Sequence, residues 1–177
     1  MGSRTVPQTA TKSATQLITG ALWNAGPKAL GDFVLGPPMF RGHQAATQTL
    51  ASGAWTAMSL GATDVDTDTG HSNSVNNSRY TTQVQGWYWV EGYVAFQSGQ
   101  PASRFESAIA KNGVIVPGSS QFLLRQNDLQ ALSAGCVVQL NVTDYVEVWG
   151  RQNSGGNLLT QAGTDLLPSM NAFWIHS

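Results

Sequence analysis

The chain has 177 residues, with 9 Lys and Arg against 10 Asp and Glu, a formal net charge of −1. Only 11% of it is charged, under half of the roughly 25% usual in soluble proteins. That leaves no electrostatic footprint for a nucleic-acid backbone and no polybasic stretch for an anionic membrane. Polarity comes instead from 56 Ser, Thr, Gln and Asn residues, and a hydrophobic fraction of 41% with 6 Trp, 6 Phe and 4 Tyr is ample for a core. The single Cys136 cannot form an intramolecular disulfide, and its apolar setting (Gly135 to Leu140) reads as a buried, inert thiol. There is no apolar run of about 18 residues for a transmembrane helix, and no basic-then-apolar leader opens the chain.

Residues 1–14 are small, polar and aperiodic, and read as a tail or arm that a partner would have to order. Leu17, Ile18, Leu22 and Trp23 then fall at helical spacing until Gly26-Pro27, which predicts a break. Pro27 suits the first turn of a second short helix carrying Leu30, Phe33 and Val34, which Gly36-Pro37-Pro38 stops. Helices this short are weak alone and need something to pack on. Residues 1–38 are therefore expected to form an anchoring segment, with Leu17, Leu22, Trp23, Leu30 and Phe33 as its contacts.

From residue 39 to 177 the texture changes to short β-type runs separated by Gly, Asn, Asp and Ser. Strands are predicted near 43–50, 54–60, 78–84, 86–97, 103–111, 114–117, 119–126, 136–141, 144–151 and 169–176, with no helix after residue 36. Asn112-Gly113 is the clearest turn, because both residues tolerate the positive φ of a two-residue hairpin. Ser154-Gly155-Gly156 is a looser one. The pattern predicts an all-β antiparallel sandwich or jelly roll.

Residues 86–96 (GWYWVEGYVAF) carry the most information. Alternate residues of a strand face opposite sides. Tyr88, Val90, Gly92, Val94 and Phe96 form an apolar core face, whereas Trp87, Trp89, Glu91, Tyr93 and Ala95 put three large aromatics on the other. In the C-terminal run Phe173 and Ile175 alternate with Trp174 and His176. An apolar second face means another surface covers it. Trp87, Trp89, Tyr93, Phe173 and Trp174 are thus expected at an interface between copies.

These residues resemble a known family. Residues 78–90 (SRYTTQVQGWYWV), 109–113 (IAKNG) and 140–148 (LNVTDYVEV) are similar to segments of C1q/TNF-like jelly-roll domains. Residues 151–158 (RQNSGGNL) and the lead-in from Thr19 to Pro38 resemble C1q-like domains of minor tail and appendage proteins of actinobacterial tailed phages. The resemblance covers roughly 19–177 and departs at Thr143, where the family has Gly, and at Gly26-Pro27 inside the lead-in. It implies a ten-strand jelly roll that assembles as a tight homotrimer with aromatics along the axis. It also implies a non-enzymatic virion-surface protein: a capsid decoration, head fibre or minor tail protein bound to major capsid or tail proteins, or an adhesin touching a host glycan.

Candidate chemistry is sparse. Asp64, Asp66 and Asp68 stand at two-residue spacing and form either a solvated acidic run or a Ca²⁺ site, although the EF-hand pattern fails at Thr69 and Val75. His43, His71 and His176 have no zinc spacing, and no nucleophile elbow, phosphate loop or dinucleotide fingerprint is present. Glu91, Glu106 and Glu147 read as structural partners of Arg79, Arg104 or Arg151. The loops at 70–78, 97–104 and 151–164 present amides and hydroxyls suited either to sugars or to an inert shell. No cofactor other than Ca²⁺ suggests itself.

Overall fold

The computed structural model describes residues 5–11, 13, 15–97, 99, 102, 104–124, 130–161 and 165–177. Its first elements are helical. The Thr19 hydroxyl accepts the Leu22 N–H at 3.3 Å and caps α1 (Gly20–Trp23). The predicted break at Gly26-Pro27 does not occur. The backbone continues through a π turn (Asn24–Lys28) into α2 (Ala29–Leu35), so helical backbone is unbroken over 20–35. A proline lacks the N–H that an α-helix needs, and a π turn is one way to absorb that loss. Gly36-Pro37-Pro38 ends the run as expected.

Thirteen strands follow among the described residues: β1 (Met39–His43), β2 (Thr49–Leu50), β3 (Thr56–Ala57), β4 (Ala62–Asp66), β5 (Tyr80–Thr81), β6 (Gly86–Phe96), β7 (Arg104–Lys111), β8 (Val114–Ile115), β9 (Gln121–Leu124), β10 (Gln130–Leu140), β11 (Tyr145–Gln152), β12 (Leu158–Leu159) and β13 (Ser169–His176). One sheet runs β10-β6-β13-β1-β4. The facing sheet runs β3-β11-β7-β8, with β5 also on β11 and β9 on β7, and β12 pairs β2 apart from both. Every strand pair is antiparallel. The predicted strand at 43–50 is two pieces, because β1 begins at Met39. The strand expected at 136–141 begins at Gln130, and β4 lies where an acidic run was expected.

The core lies between the sheets. Tyr88, Val90, Gly92, Val94 and Phe96 are all buried, as the alternation of β6 predicts. They meet Phe105 and Ile109 of β7, Val146 and Val148 of β11, and Leu132 and Leu140 of β10. Phe40 stacks on Tyr80 at 4.9 Å and Phe96 tilts onto Phe105 at 4.8 Å. Cys136 faces the same core but is only half-buried, and burial pushes its thiol up from the ordinary value.

Turn chemistry fixes the strand order locally. Asn112 and Gly113 take φ of 50° and 78°, and the flanking pairs Lys111–Val114 and Ala110–Ile115 confirm a two-residue hairpin. Thr143 sits at φ 76°, which explains why a glycine suits that position: a β-branched residue there is strained. Beside it, burial would raise the Asp144 carboxyl. Hydrogen bonds from Lys111, Asn112 and the Asn141 N–H, with the Lys111 charge, instead lower it to about 2. A folded value below the unfolded one of about 3.9 stabilises the fold above pH ~4, and that stability is lost as pH falls towards 2. Asp144→Asn is therefore expected to cost on the order of 2 kcal/mol at neutral pH and to flatten the acid limb of a stability-versus-pH curve between about 4 and 2. Chemical denaturation across that range measures it; an unchanged acid limb contradicts the assignment.

Uncharged polar residues also hold the interior. Gln44 is 1% exposed, donating to Gln48 Oε1 and accepting from the Thr160 hydroxyl at 2.6 Å. Gln152, fully buried, donates to the Leu50 and Gly156 carbonyls and accepts from the Ser154 N–H. The Gly155 N–H donates to the Ser52 hydroxyl, so the 154–156 turn is tied down rather than loose.

Candidate assembly face

Strand alternation gives the first sheet one face on the core and one face outward, and the register orders that outward face into rows. Val137, Trp89, Phe173 and Met39 stand side by side across β10, β6, β13 and β1. The next row towards one end is Gln139, Trp87 and His176, with Trp87 stacked on the His176 ring at 6.2 Å. Towards the other end come Gly135, Glu91, Asn171 and Arg41, then Ser133, Tyr93, Ser169 and His43. The face is thus aromatic and aliphatic in one half, polar in the other. Its exposed apolar groups include Val137 (49%), Ile175 (46%), Trp89 (41%) and Phe173 (38%). The Trp89 ring lies over Gly135, where a Cβ would come within 3.3 Å of it.

Four of the five expected interface residues lie on this face, namely Trp87, Trp89, Tyr93 and Phe173. Trp174 does not. Neighbours on a strand face opposite ways, and Trp174 pairs with core-facing Tyr88. Its indole N–H donates to the Gln85 carbonyl at 3.2 Å, and its ring packs against the core and Phe33. A register shift between Trp174 and His176 then returns His176 to the outward side.

The polar half opens into a cleft of about 570 Å³. Asp64 Oδ2 accepts from Arg41 Nε at 2.9 Å and lies 3.2 Å from His43 Nδ1. Burial would raise the Asp64 carboxyl, but these two partners hold it below its usual range. Burial, helped by the Asp165 charge, pushes the Tyr93 phenol up. Glu91 has no ion-pair partner among the described residues, whereas Glu147 is bound by Ser78, Arg79 and Trp149, and Glu106 by Arg104 and Arg151. Ser169 stands beside His43 across the β1–β13 pair. This polar half depends on β1 beginning at Met39, which places Arg41 and His43 in rows with Asn171 and Ser169; no single segment signals it.

The acidic run does not converge. Asp64 is occupied by Arg41 and His43, while Asp66 accepts the backbone N–H groups of Gly70 and His71. Among the described residues, no cluster of three or more acidic, His or Cys side chains is placed to hold an ion. His71 is held between the Arg79 and Leu60 carbonyls at 2.7 and 2.9 Å. Much of the polar chemistry of loop 70–78 is likewise spent internally. The Thr63 hydroxyl donates to Asn73, the Ser59 hydroxyl to Asn77, and Ser72 accepts the Val75 N–H. In the other two loops, residues 98, 100, 101, 103 and 162–164 lie outside the described residues.

Of the five expected anchoring residues, Leu17 (86%), Trp23 (53%) and Leu30 (37%) are exposed. Leu22 is half-buried, and Phe33 is turned inward, 3% exposed, with its ring edge-on to Trp174 at 4.9 Å. Phe33 thereby fixes α2 to the end of the sandwich. No helix among the described residues is long and apolar enough to cross a membrane.

No family model matches the sequence, and no curated protein matches it. Solved structures do. The globular domain of zebrafish complement 1qA protein superposes with a TM-score of 0.57 at 15% identity, over 78% of this chain and 98% of that one. This is the C1q/TNF jelly-roll fold. Eiger TNF from S. frugiperda gives 0.57 at 8% identity over 79% and 95% of the two chains. Murine APRIL gives 0.53 at 10% identity over 77% and 98%. In this jelly roll β13 lies at the centre of the sheet that carries the outward aromatic rows, with β6 beside it.

Proposed function

We propose that the chain is a non-enzymatic structural protein of a tailed-phage virion. Three copies of the jelly roll close on their outward aromatic rows to form a surface knob, and residues 1–38 anchor it to the particle. The observation that carries the reading is the row Val137, Trp89, Phe173 and Met39 on a sheet whose other face is already the core. A sheet apolar on both faces is a component of a larger assembly, and a jelly roll of this type is expected to meet that need as a homotrimer. The phage origin rests on the resemblance of residues 78–90, 151–158 and the lead-in. Labelled antibodies and electron microscopy of purified particles test it. Decoration of the head supports a capsid protein, decoration of the tail a minor tail protein, and absence from purified particles overturns both.

A further inference from the structure

The helical run 20–35 carries two apolar stripes one residue apart, and the described residues cover only one of them. Leu22, Gly26, Ala29 and Phe33 follow a four-three-four spacing and face the body: Gly26 and Phe33 are buried, Leu22 and Ala29 half-buried. Gly26 lies against Thr9, and Phe33 against Trp174. Trp23, Pro27, Leu30 and Val34 repeat the same spacing on the adjoining strip. There Trp23 is 53% exposed, Leu30 37% and Val34 64%. The run's two charged side chains, Lys28 and Asp32, pair with each other.

A helix that only plugs the end of a sandwich needs one apolar stripe. A second stripe at four-three-four spacing is the seam by which like helices pack side by side. The stripe is neutral, which suits a copy of itself. It is also continuous with the assembly face, because α2 runs through Gly36, Pro37 and Pro38 straight into Met39 of the outward apolar row. A helix of this length is marginal alone. Tethered to a trimeric knob, three such helices meet at high effective concentration.

We infer that the Trp23–Leu30–Val34 stripe is closed by the same stripe of the neighbouring copies, forming a short parallel bundle at the base of the knob. Leu17 and Ile18, 86% and 71% exposed, then remain for whatever the arm anchors on. This rests on the trimeric reading above. The test uses the full chain with Cys136→Ser, carrying Leu30→Cys or Val34→Cys on the stripe, or Asp32→Cys off it, under mild copper–phenanthroline oxidation, with light scattering on the same samples. The expected result is a trimeric mass for all three, with disulfide-linked dimers forming at least tenfold faster for the stripe variants. A trimeric mass with equal rates overturns the bundle and leaves the knob standing. A monomeric mass overturns the knob and the bundle with it.

Discussion

On the trimeric assembly proposed above, Trp89→Arg is expected to leave a folded monomer, a threefold fall in mass by light scattering. Trp89 lies in the middle of the outward apolar row, between Val137 and Phe173. None of the buried core depends on it, since the core-facing residues of β6 are the alternate ones. Truncating a central interface aromatic typically costs about 2–4 kcal/mol per contact. An arginine adds the cost of desolvating a charge with no partner in the row. Every 1.4 kcal/mol is about tenfold in affinity, so a dissociation constant rising by two or more orders of magnitude is expected. Near-ultraviolet circular dichroism checks that the monomer is still folded. Phe173→Arg, in the same row, is a second route to the same outcome should the first variant misfold. A folded Trp89→Arg protein that keeps the trimeric mass removes the assembly reading of this face.

The second large effect sits on the opposite side of the same strand. A Cβ added at Gly92 would lie 2.2 Å from Val148 Cγ2 and 2.5 Å from Val148 Cβ. The glycine is there because Val148 of the facing sheet fills the space a side chain would take, not because its backbone requires one. Gly92→Ala is expected to destabilise the fold by about 1–3 kcal/mol through overpacking, a thermal midpoint lower by roughly 2–4 °C per kcal/mol in a chain of this size. Val148→Ala removes the obstructing methyl groups at the cost of a cavity. The double variant is then expected to be more stable than the sum of the two single losses predicts, by about 1 kcal/mol or more. Additive losses place the clash elsewhere.

The parts of this structure that follow a strict period were legible from residues alone. In β6 the two-residue alternation separates Tyr88, Val90 and Val94 from Trp87, Trp89 and Tyr93, and burial follows that division. Asn112-Gly113 specifies its hairpin through the positive φ of both residues. Where a local rule met a longer-range one, the local rule lost. Pro27 signals a helix end, yet packing of Gly26 and Phe33 against the rest of the chain holds the helix together across a π turn. Asp64 and Asp66 disfavour a strand by propensity, yet the open side of β1 recruits them into one. Phe173 and Ile175 alternate with Trp174 and His176, which leaves both faces of β13 rich in apolar groups; only the pairing of Trp174 with Tyr88 shows which way its ring points. The polar half of the outward face required the start of β1 and the register of β13 together, and neither is a property of one segment.

The same acidic strand has a consequence for how the protein behaves when crowded. β4 is the last strand of its sheet, and the outer side of such a strand is a template for pairing with another chain. Here the register slips between Arg41 and Gly42, so Asp64 is an extra residue on β4, held by Arg41 and His43. A bulge with charges fixed on it bends the strand and spoils the straight row of donors and acceptors that an incoming strand would need. Sideways growth into fibrils is discouraged at this border while the flat aromatic rows remain sticky. At this border, copies made together at high concentration are steered away from open-ended edge-to-edge pairing.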